Sequence, residues 1–364
     1  MAGIKDVAAR AGVSMATASR ALTGHPSVSD AARAAVRAAA DELGYRANGV
    51  ARSLRTRRTR ILGLVVPDVL NPFFTELARA VEEEARALGY SVIIGNADDR
   101  PEQLDHQLRS LLERRTDGLL VAPADDPSAE LLRRTARSGT PLVFVDRWIA
   151  GAPGVPVVRA DGRAAVRALV RHLHRLGRRR IAVITGPAAT ATGRERLDAF
   201  RGALGELGLP PRPELIGHGD FRAESGRRET ARLLSLPRHS RPDAVFAADN
   251  LMALGALDAI RAAGLRVPAG IALAAFDDIP WFAHLDPPLT AIAQPTAELG
   301  RAAVRALADR IEGRPAASVT LDARLVARAS CGEPGGARGG GTGRLGNVRR
   351  CDDGAERRER ESGS

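Results

Sequence analysis

The 364-residue chain is 44% hydrophobic, which is enough apolar material to bury more than one core, and its formal net charge is +11. Its two cysteines and the absence of an export signal or an apolar run of about 18 residues exclude a disulfide framework and a membrane span, so a cytoplasmic location is expected. The excess of basic residues favours an anionic partner.

The first part of the chain has the spacing of a helix, a turn and a second helix. Apolar residues at i, i+3, i+4 and i+7 predict a first helix over residues 4–11, and Gly12 can adopt the positive φ that ends it. Ser14 can cap a second helix, which we expect over residues 15–22. A third helix is expected over residues 29–43, so three short helices can share one small core.

The second helix presents one side that is suited to DNA. Ala18 and Leu22 are expected to face the helical core, which leaves the opposite side exposed. In helix-turn-helix proteins the N-terminal end of this helix enters the major groove, where Arg20 can donate to a guanine and where Met15 and Ala16 offer apolar contact. The candidate DNA contacts here are Ser14, Met15, Ala16, Thr17, Ser19 and Arg20.

Positive charge is concentrated at the start of the chain. Residues 1–60 hold one Lys and ten Arg against four acidic residues, which gives +7 of the total +11. This distribution is typical of a protein that binds DNA phosphates. The alternative, a small alanine-rich helical bundle that never meets DNA, does not explain it.

The basic linker over residues 47–60 has the pattern of a weak helix. Asn48 can cap it, and Val50 and Leu54 give it one apolar edge, but Gly49 lowers its helix propensity by about 1 kcal/mol. We therefore expect it to become helical on DNA, where Leu54 can enter the minor groove and kink the duplex.

From residue 61 onwards, buried strands alternate with amphipathic helices, which predicts doubly wound parallel sheets. The roughly 270 residues involved exceed a single core, so the predicted fold is a helical head plus two α/β lobes. The first series has expected strands at 61–66, 92–95, 118–122 and 142–145 and helices at 73–88, 102–114 and 128–137. The second has expected strands at 181–185, 215–218, 244–248 and 271–276 and helices at 164–176, 194–207, 223–234 and 251–263.

Two facing lobes of this kind form a cleft beyond the carboxyl ends of their strands, where α/β proteins bind ligands. Carboxylates and arginines at strand ends can bind hydroxyl groups, and aromatic rings can stack on sugars or bases. A helix cap or a surface ion pair is the alternative role for each residue taken singly. The candidate ligand contacts are Asn71, Phe73, Phe74, Asp98, Asp146, Arg147, Arg196, Phe221, Asp249, Asn250 and Asp277.

Several segments together resemble the LacI/GalR family of bacterial transcription regulators, and the similarity extends from about residue 3 to about residue 331. The head and hinge resemble the family at 5–8, 11–22, 43–48 and 51–55. The later part is similar to the family's periplasmic-binding-protein-like effector domain at 194–200, 248–256, 276–280 and 287–290. The chain departs from the family at Ala18, Thr23, Ala47 and Gly49, and it has Asp249-Asn250 where the order Asn-Asp is commoner.

The resemblance implies a homodimer, or a higher oligomer, that represses transcription from a near-palindromic operator under control of a small-molecule effector, most often a sugar and next most often a purine or nucleoside. In the head and hinge it implies base contacts at Met15, Ala16 and Arg20, phosphate contacts at Thr17 and Ser19, and hinge contacts at Asn48, Ala51 and Leu54. In the cleft it implies polar contacts at Arg196 and Asp277 and packing contacts at Phe73, Phe74 and Phe221.

The resemblance also implies three chain crossings between the lobes, near residues 160, 291 and 319. The expected domains are a head at 1–46, a hinge at 47–60 and an effector domain at 61–331. Within the effector domain, the first lobe takes 61–160 and 291–318 and the second takes 161–290 and 319–331. Residues 332–364 are rich in Gly, Arg, Glu and Ser, which predicts a disordered tail.

Motifs for other chemistries are absent from the sequence. It has no GxGxxG after a strand, no GxxxxGK[ST] and no GxSxG, so no catalytic residue or cofactor is expected. His172 and His174 are two apart on a predicted helix and cannot share one face as metal ligands. A small-molecule receptor that binds a sugar or nucleoside, without regulatory DNA binding, is the alternative function.

Overall fold

The computed structural model describes residues 2–22, 25–45, 58–123 and 129–332. In the head, helix α1 spans Ile4–Arg10, α2 spans Met15–Leu22 and α3 spans Asp30–Glu42. The Ser14 hydroxyl accepts the Thr17 backbone N–H at 3.1 Å, and Ser29 caps α3 in the same way. The three-helix head is therefore confirmed.

The core of the head consists of small side chains. Ala18 and Ala21 of α2 are buried, whereas Leu22, which we expected on the inner face, is only half-buried. Because α1 and α3 approach α2 closely, alanines fill the narrow space and the larger leucine lies at its edge. The ends of the three helices agree with the prediction to within one residue.

The first lobe is built on a six-stranded, all-parallel sheet with the order β11-β5-β4-β3-β1-β2. Its strands are β1 Ile61–Val66, β2 Ser91–Asn96, β3 Gly118–Val121, β4 Leu142–Val145, β5 Val157–Asp161 and β11 Val319–Asp322. Its helices are α4 Pro72–Ala87, α5 Pro101–Glu113, α6 Glu130–Arg137 and α11 Thr296–Ile311. Buried apolar residues cover both faces of the sheet, as the continuous apolar strands predict.

The second lobe has a six-stranded sheet with the order β12-β10-β9-β8-β6-β7, in which only β12 runs antiparallel. Its strands are β6 Ile181–Thr185, β7 Ile216–His218, β8 Ala244–Ala247, β9 Ala272–Phe276, β10 Thr290–Ala293 and β12 Arg324–Val326. Its helices are α7 Arg163–Arg175, α8 Ala191–Glu206, α9 Ala223–Ser235 and α10 Asn250–Ala262. The fold class predicted from the sequence is confirmed.

Two of the three predicted chain crossings are displaced. The crossing expected near residue 291 follows residue 293, because β10 pairs with β9 of the second lobe. The crossing expected near residue 319 lies at Ala323, because β11 pairs in parallel with β5 of the first lobe before β12 joins β10. The strands next to both crossings are short, and their pairing partners are distant in sequence. The remaining crossing lies between Asp161 and Arg163.

Candidate functional site

The exposed side of α2 carries the predicted DNA contacts of the head. Met15 is 46% exposed, Ser14, Ala16 and Arg20 are also exposed, and Thr17 and Ser19 are half-buried. Ser14 and Thr17 also share a hydrogen bond between their hydroxyls at 2.9 Å. The geometry leaves the N-terminal end of the helix open to a groove, while the individual DNA contacts stay predictions. The predicted hinge contacts Asn48, Ala51 and Leu54 lie outside the described residues.

The predicted ligand contacts converge at the carboxyl ends of strands from both lobes, around a cavity of about 10 Å³. This is room for about one water molecule and is far below the ~300–1,000 Å³ of most ligand pockets, so a ligand requires the lobes to separate. A second space of about 20 Å³ adjoins it and shares Asp146, Thr192 and Arg196. The lining of the first cavity is Asn71, Phe73, Phe74, Asp146, Arg147, Thr192, Arg196, Phe221, Asp249 and Asp277.

Two predicted contacts lie outside this lining. Asn250 is fully buried, and its side-chain amide donates to Asn71 Oδ1 at 2.9 Å, so it positions a lining residue. Asp98 lies at the rim, where its carboxylate accepts Arg222 Nη2 at 3.0 Å across the two lobes. Thr192, at the start of α8, also lines the cavity, and no motif in the sequence points to it.

A buried hydrogen-bond chain joins the lobes. Asn71 caps α4 through the Phe73 N–H, and its Nδ2 donates to Asp249 Oδ2 at 3.3 Å. Asp249 in turn caps α10 by accepting the Met252 N–H at 3.0 Å. Each lobe therefore contributes the N-terminal end of a helix to one shared polar contact.

The aromatic residues hold one arginine in place. The Arg147 guanidinium lies 4.8 Å from the centre of the Phe221 ring and 5.7 Å from that of Phe74. The Phe221 ring packs so closely on Gly186 that a Cβ there would come within 2.0 Å of it. Glycine at position 186 is thus required for the second lobe to present Phe221 to an arginine of the first.

The second arginine of the site, Arg196, contacts other residues of its own lobe. Arg196 Nη1 donates to the Ala248 carbonyl at 2.7 Å and lies 3.6 Å from Asp277 Oδ2, and its guanidinium carbon is 3.7 Å from the centre of the Phe276 ring. Gln294 Nε2 donates to the other oxygen of Asp277 at 2.5 Å. Gln294 belongs to the segment that crosses between the lobes, so the carboxylate of Asp277 connects the site to the crossing.

Burial raises the pKa of three carboxyl groups in the site. The pKa of Asp146 rises to about 6 and that of Asp249 to about 7, and the pKa of Asp277 also rises. Desolvation is the largest cause in each case. Arg196 opposes it at all three groups, and the nearby Asp277 carboxylate adds to the rise at Asp249. Perturbed carboxyl groups of this kind cluster at functional sites.

Backbone strain marks the same place. Non-glycine residues with positive φ are sparse in the described part of the chain, and Asp146 at 63°, Phe221 at 64°, Asp277 at 66° and Asp98 at 53° are among them. Each such conformation costs of order 1–3 kcal/mol. Because strain persists where the surrounding structure holds it, its concentration at the cleft supports a binding role.

Other chemistries find no support in the described ranges. No group of three or more His, Cys, Asp or Glu side chains between residues 2 and 332, outside the gaps, is placed to hold a metal ion. Likewise, no helix of the described chain has the length and apolar character needed to cross a bilayer.

Two family models match the chain. Residues 3–48 match the model described as "Bacterial regulatory proteins, lacI family", and residues 170–331 match a periplasmic binding protein-like domain. The HTH-type transcriptional repressor PurR of Aliivibrio fischeri strain MJ11 is 36% identical over 314 residues, which cover 86% of this chain and 93% of that protein.

Two solved structures extend the similarity to the whole architecture. The lac repressor dimer bound to operator and the anti-inducer ONPF superposes with a TM-score of 0.80 at 29% identity, over 91% of this chain and 99% of that one. The complex of the transcriptional regulator CelR with cellobiose gives a TM-score of 0.69 at 33% identity, over 91% of this chain and 100% of that one. The named relatives are regulators of transcription and not enzymes.

Proposed function

The chain belongs to the LacI family of bacterial transcriptional regulators, so it is a DNA-binding repressor with a small-molecule effector, and we propose how its parts divide that work. The head and hinge of two protomers bind a near-palindromic operator in the cytoplasm, and the interlobe cleft binds the effector. The observation that carries this division is the buried hydrogen-bond chain of Asn71 and Asp249, since a ligand that changes it changes the angle between the lobes.

The effector proposed for the cleft is a small polyhydroxylated molecule of the sugar class. Carboxylates, arginines and amides lie beside phenyl rings in the lining, and together they bind hydroxyl groups and the apolar face of a sugar. The CelR neighbour is a cellobiose complex, which supports this class.

Contacts at the start of the effector domain explain how a change in the angle between the lobes is transmitted to the DNA-binding heads. The Asp117 carboxylate accepts the backbone N–H of Thr59 at 2.7 Å and that of Arg60 at 3.0 Å, at the beginning of β3. It also accepts the Thr59 hydroxyl at 2.8 Å. The end of the linker is therefore fixed to the first lobe, so rotation of that lobe moves the attachment points of the two heads.

An apolar surface at the edge strand β2 supports the homodimer. Leu70 is 81% exposed, and Val69 and Ile94 are also exposed. The Val69 N–H donates to Asn96 Oδ1 at the end of β2, which also contains Ile94, so the segment of Val69 and Leu70 lies against this strand. Large exposed apolar residues that lie together mark protein interfaces. A two-fold axis at this surface would pair two first lobes and bring two heads to adjacent half-sites.

Two measurements test the proposal. Selection of genomic fragments by the full chain, followed by sequencing, is expected to enrich near-palindromic sites, and failure to enrich any site over bulk DNA would contradict the operator assignment. In analytical ultracentrifugation, Leu70→Asp is expected to shift the dimer towards monomer. Leu88→Asp, at the opposite end of α4 and also exposed, is the matched control and should leave the dimer intact.

A further inference from the structure

The cleft encloses more negative than positive charge. The carboxyl groups of Asp146, Asp249 and Asp277 are each at most 5% exposed, and they share the cavity with the guanidinium groups of Arg147 and Arg196. Arg147 Nη1 donates to Asp99 Oδ1 at 2.7 Å, and its Nε lies 3.8 Å from Asp146 Oδ2, so two carboxylates share this guanidinium group. With Asp99 included, four carboxyl groups of the described residues surround two guanidinium groups.

The surrounding charges do not correct this imbalance. The ion pairs at the rim of the cleft each contain one cation and one anion, so they contribute no net charge. Glu76 of α4 is a further acidic group that faces Asp278 across the lobes. The rim pairs are Arg222 with Asp98, Arg159 with Glu195, and Arg328 with Asp278.

Buried polar atoms around the cavity include one acceptor and one donor without a hydrogen-bond partner among the described residues. The acceptor is the Asn250 side-chain oxygen, outside the lining, and the donor is Arg147 Nε. Arg196 Nη1 is engaged by the Ala248 carbonyl. Positive charge on a ligand would be stabilised here by the carboxyl groups in their low-dielectric surroundings.

We propose that the effector carries a protonated amine together with hydroxyl groups, as an amino sugar does, and that Asp249 with Asp146 and Asp277 binds the ammonium group. The proposal rests on the proposed function, since it assumes that the cleft is the effector site. A metal ion is the other way to supply charge, but the acidic groups of the described ranges have no geometry for one.

Protons compete with the ammonium group for the same carboxyl groups. Burial holds the pKa of Asp249 at about 7, so lowering the pH towards 5.5 protonates it and removes an anionic partner of the amine. Amine binding is therefore expected to weaken as the pH falls and to release protons near pH 7. A neutral sugar would show neither effect.

The test compares matched ligands by titration calorimetry on the full chain. D-glucosamine, D-galactosamine and D-mannosamine are each measured beside the parent hexose and the N-acetyl derivative, which keep the ring and remove the charge. At least one amine is expected to bind about tenfold more tightly at pH 7 than both of its neutral counterparts, a difference of about 1.4 kcal/mol. The proposal is overturned if no amine exceeds its neutral counterparts, including the case in which none binds.

Asp249→Asn is the matched variant, because asparagine caps a helix as well as aspartate does and should preserve the start of α10. It is expected to lose most of the preference for the amine. Asp258→Asn makes the same change at an exposed position of the same helix and is expected to keep that preference. An unchanged preference in Asp249→Asn would overturn the assignment of Asp249.

A gel shift with the selected operator separates the two hypotheses. If the wild-type chain binds the operator, and a neutral hexose dissociates the complex while the amines do not, the proposed function is supported and the amine proposal is contradicted. If the chain shows no preference for any operator, the proposed function itself is contradicted.

Discussion

The DNA-binding head and the interlobe cleft hold their charged groups in opposite surroundings. In the head, Arg20 lies on an exposed helix face in the most basic part of the chain. In the cleft, Arg196 and its acidic neighbours are almost completely buried. Salt screens the exposed charges within about 10 Å at 0.1 M, but it screens the buried ones far less. Salt should therefore control operator binding, whereas pH should control the cleft.

The largest effect is expected from removing the buried cation. Arg196→Met leaves the buried Asp277 carboxyl group without the positive charge that lies 3.6 Å away, and breaking a buried pair costs about 3–5 kcal/mol. Urea denaturation should show this loss in the free energy of unfolding of the effector domain. Arg201→Met on the exposed side of the same helix is the control, and equal small losses in both variants would contradict the role of Arg196.

The next effect concerns the head. Arg20→Ala is expected to weaken operator binding by about 1–3 kcal/mol and to relax the preference at one base pair. Fluorescence anisotropy with single-base operator variants measures both quantities, and Arg37→Ala on the exposed side of α3 is the control. A uniform loss on every sequence would instead make Arg20 a phosphate contact.

The pH dependence of stability separates the two regions further. Because the folded-state pKa of Asp249 is raised to about 7 from an ordinary value near 3.8, the folded protein binds the proton more tightly between these values, and stability falls as the pH rises from about 4 to 7. Thermal unfolding at a series of pH values should show that the stability of Asp249→Asn rises relative to wild type by about 1.4 kcal/mol for each pH unit of this window, a few kcal/mol in all. Parallel curves for the two proteins would refute the raised pKa.

The smallest effect is expected at the rim. Arg222 and Asp98 form an interlobe ion pair in which each side chain is 47% exposed, so Arg222→Ala should change the free energy of unfolding by no more than about 1 kcal/mol. The difference from wild type should vanish in 1 M salt. A loss as large as that of Arg196→Met would show that exposure does not decide the strength of these pairs.

The sequence predicts the head better than the cleft for a physical reason. Helix α2 and its exposed residues follow from periodicity within about twenty residues, and only the packing of Ala21 in place of Leu22 needs the neighbouring helices. The cleft is assembled from strand ends far apart in sequence. The rule that ligands bind at those ends selects Asp146 and Asp277, but it cannot show that Asp98 turns to Arg222 or that Asn250 lies behind Asn71.

Some features of the cleft cannot be predicted from any pattern in the neighbouring sequence. Thr192 and Gln294 enter the site because the second lobe and the crossing segment meet there, and neither position has a distinctive pattern. The crossing points depend on the pairing of β10 and β11 with strands more than ten residues away. The imbalance of buried charge at Asp249 is visible only once the partners of Arg147 are known.

The coupling between cleft and operator is measured most directly as a pair of affinities. Operator binding is titrated with and without the compound that binds the cleft, and that compound's binding is titrated with and without operator. Each ligand is expected to change the affinity of the other by the same factor, usually 5- to 150-fold, or about 1–3 kcal/mol. If the compound occupies the cleft and operator affinity does not change, control of DNA binding through the interlobe angle is contradicted.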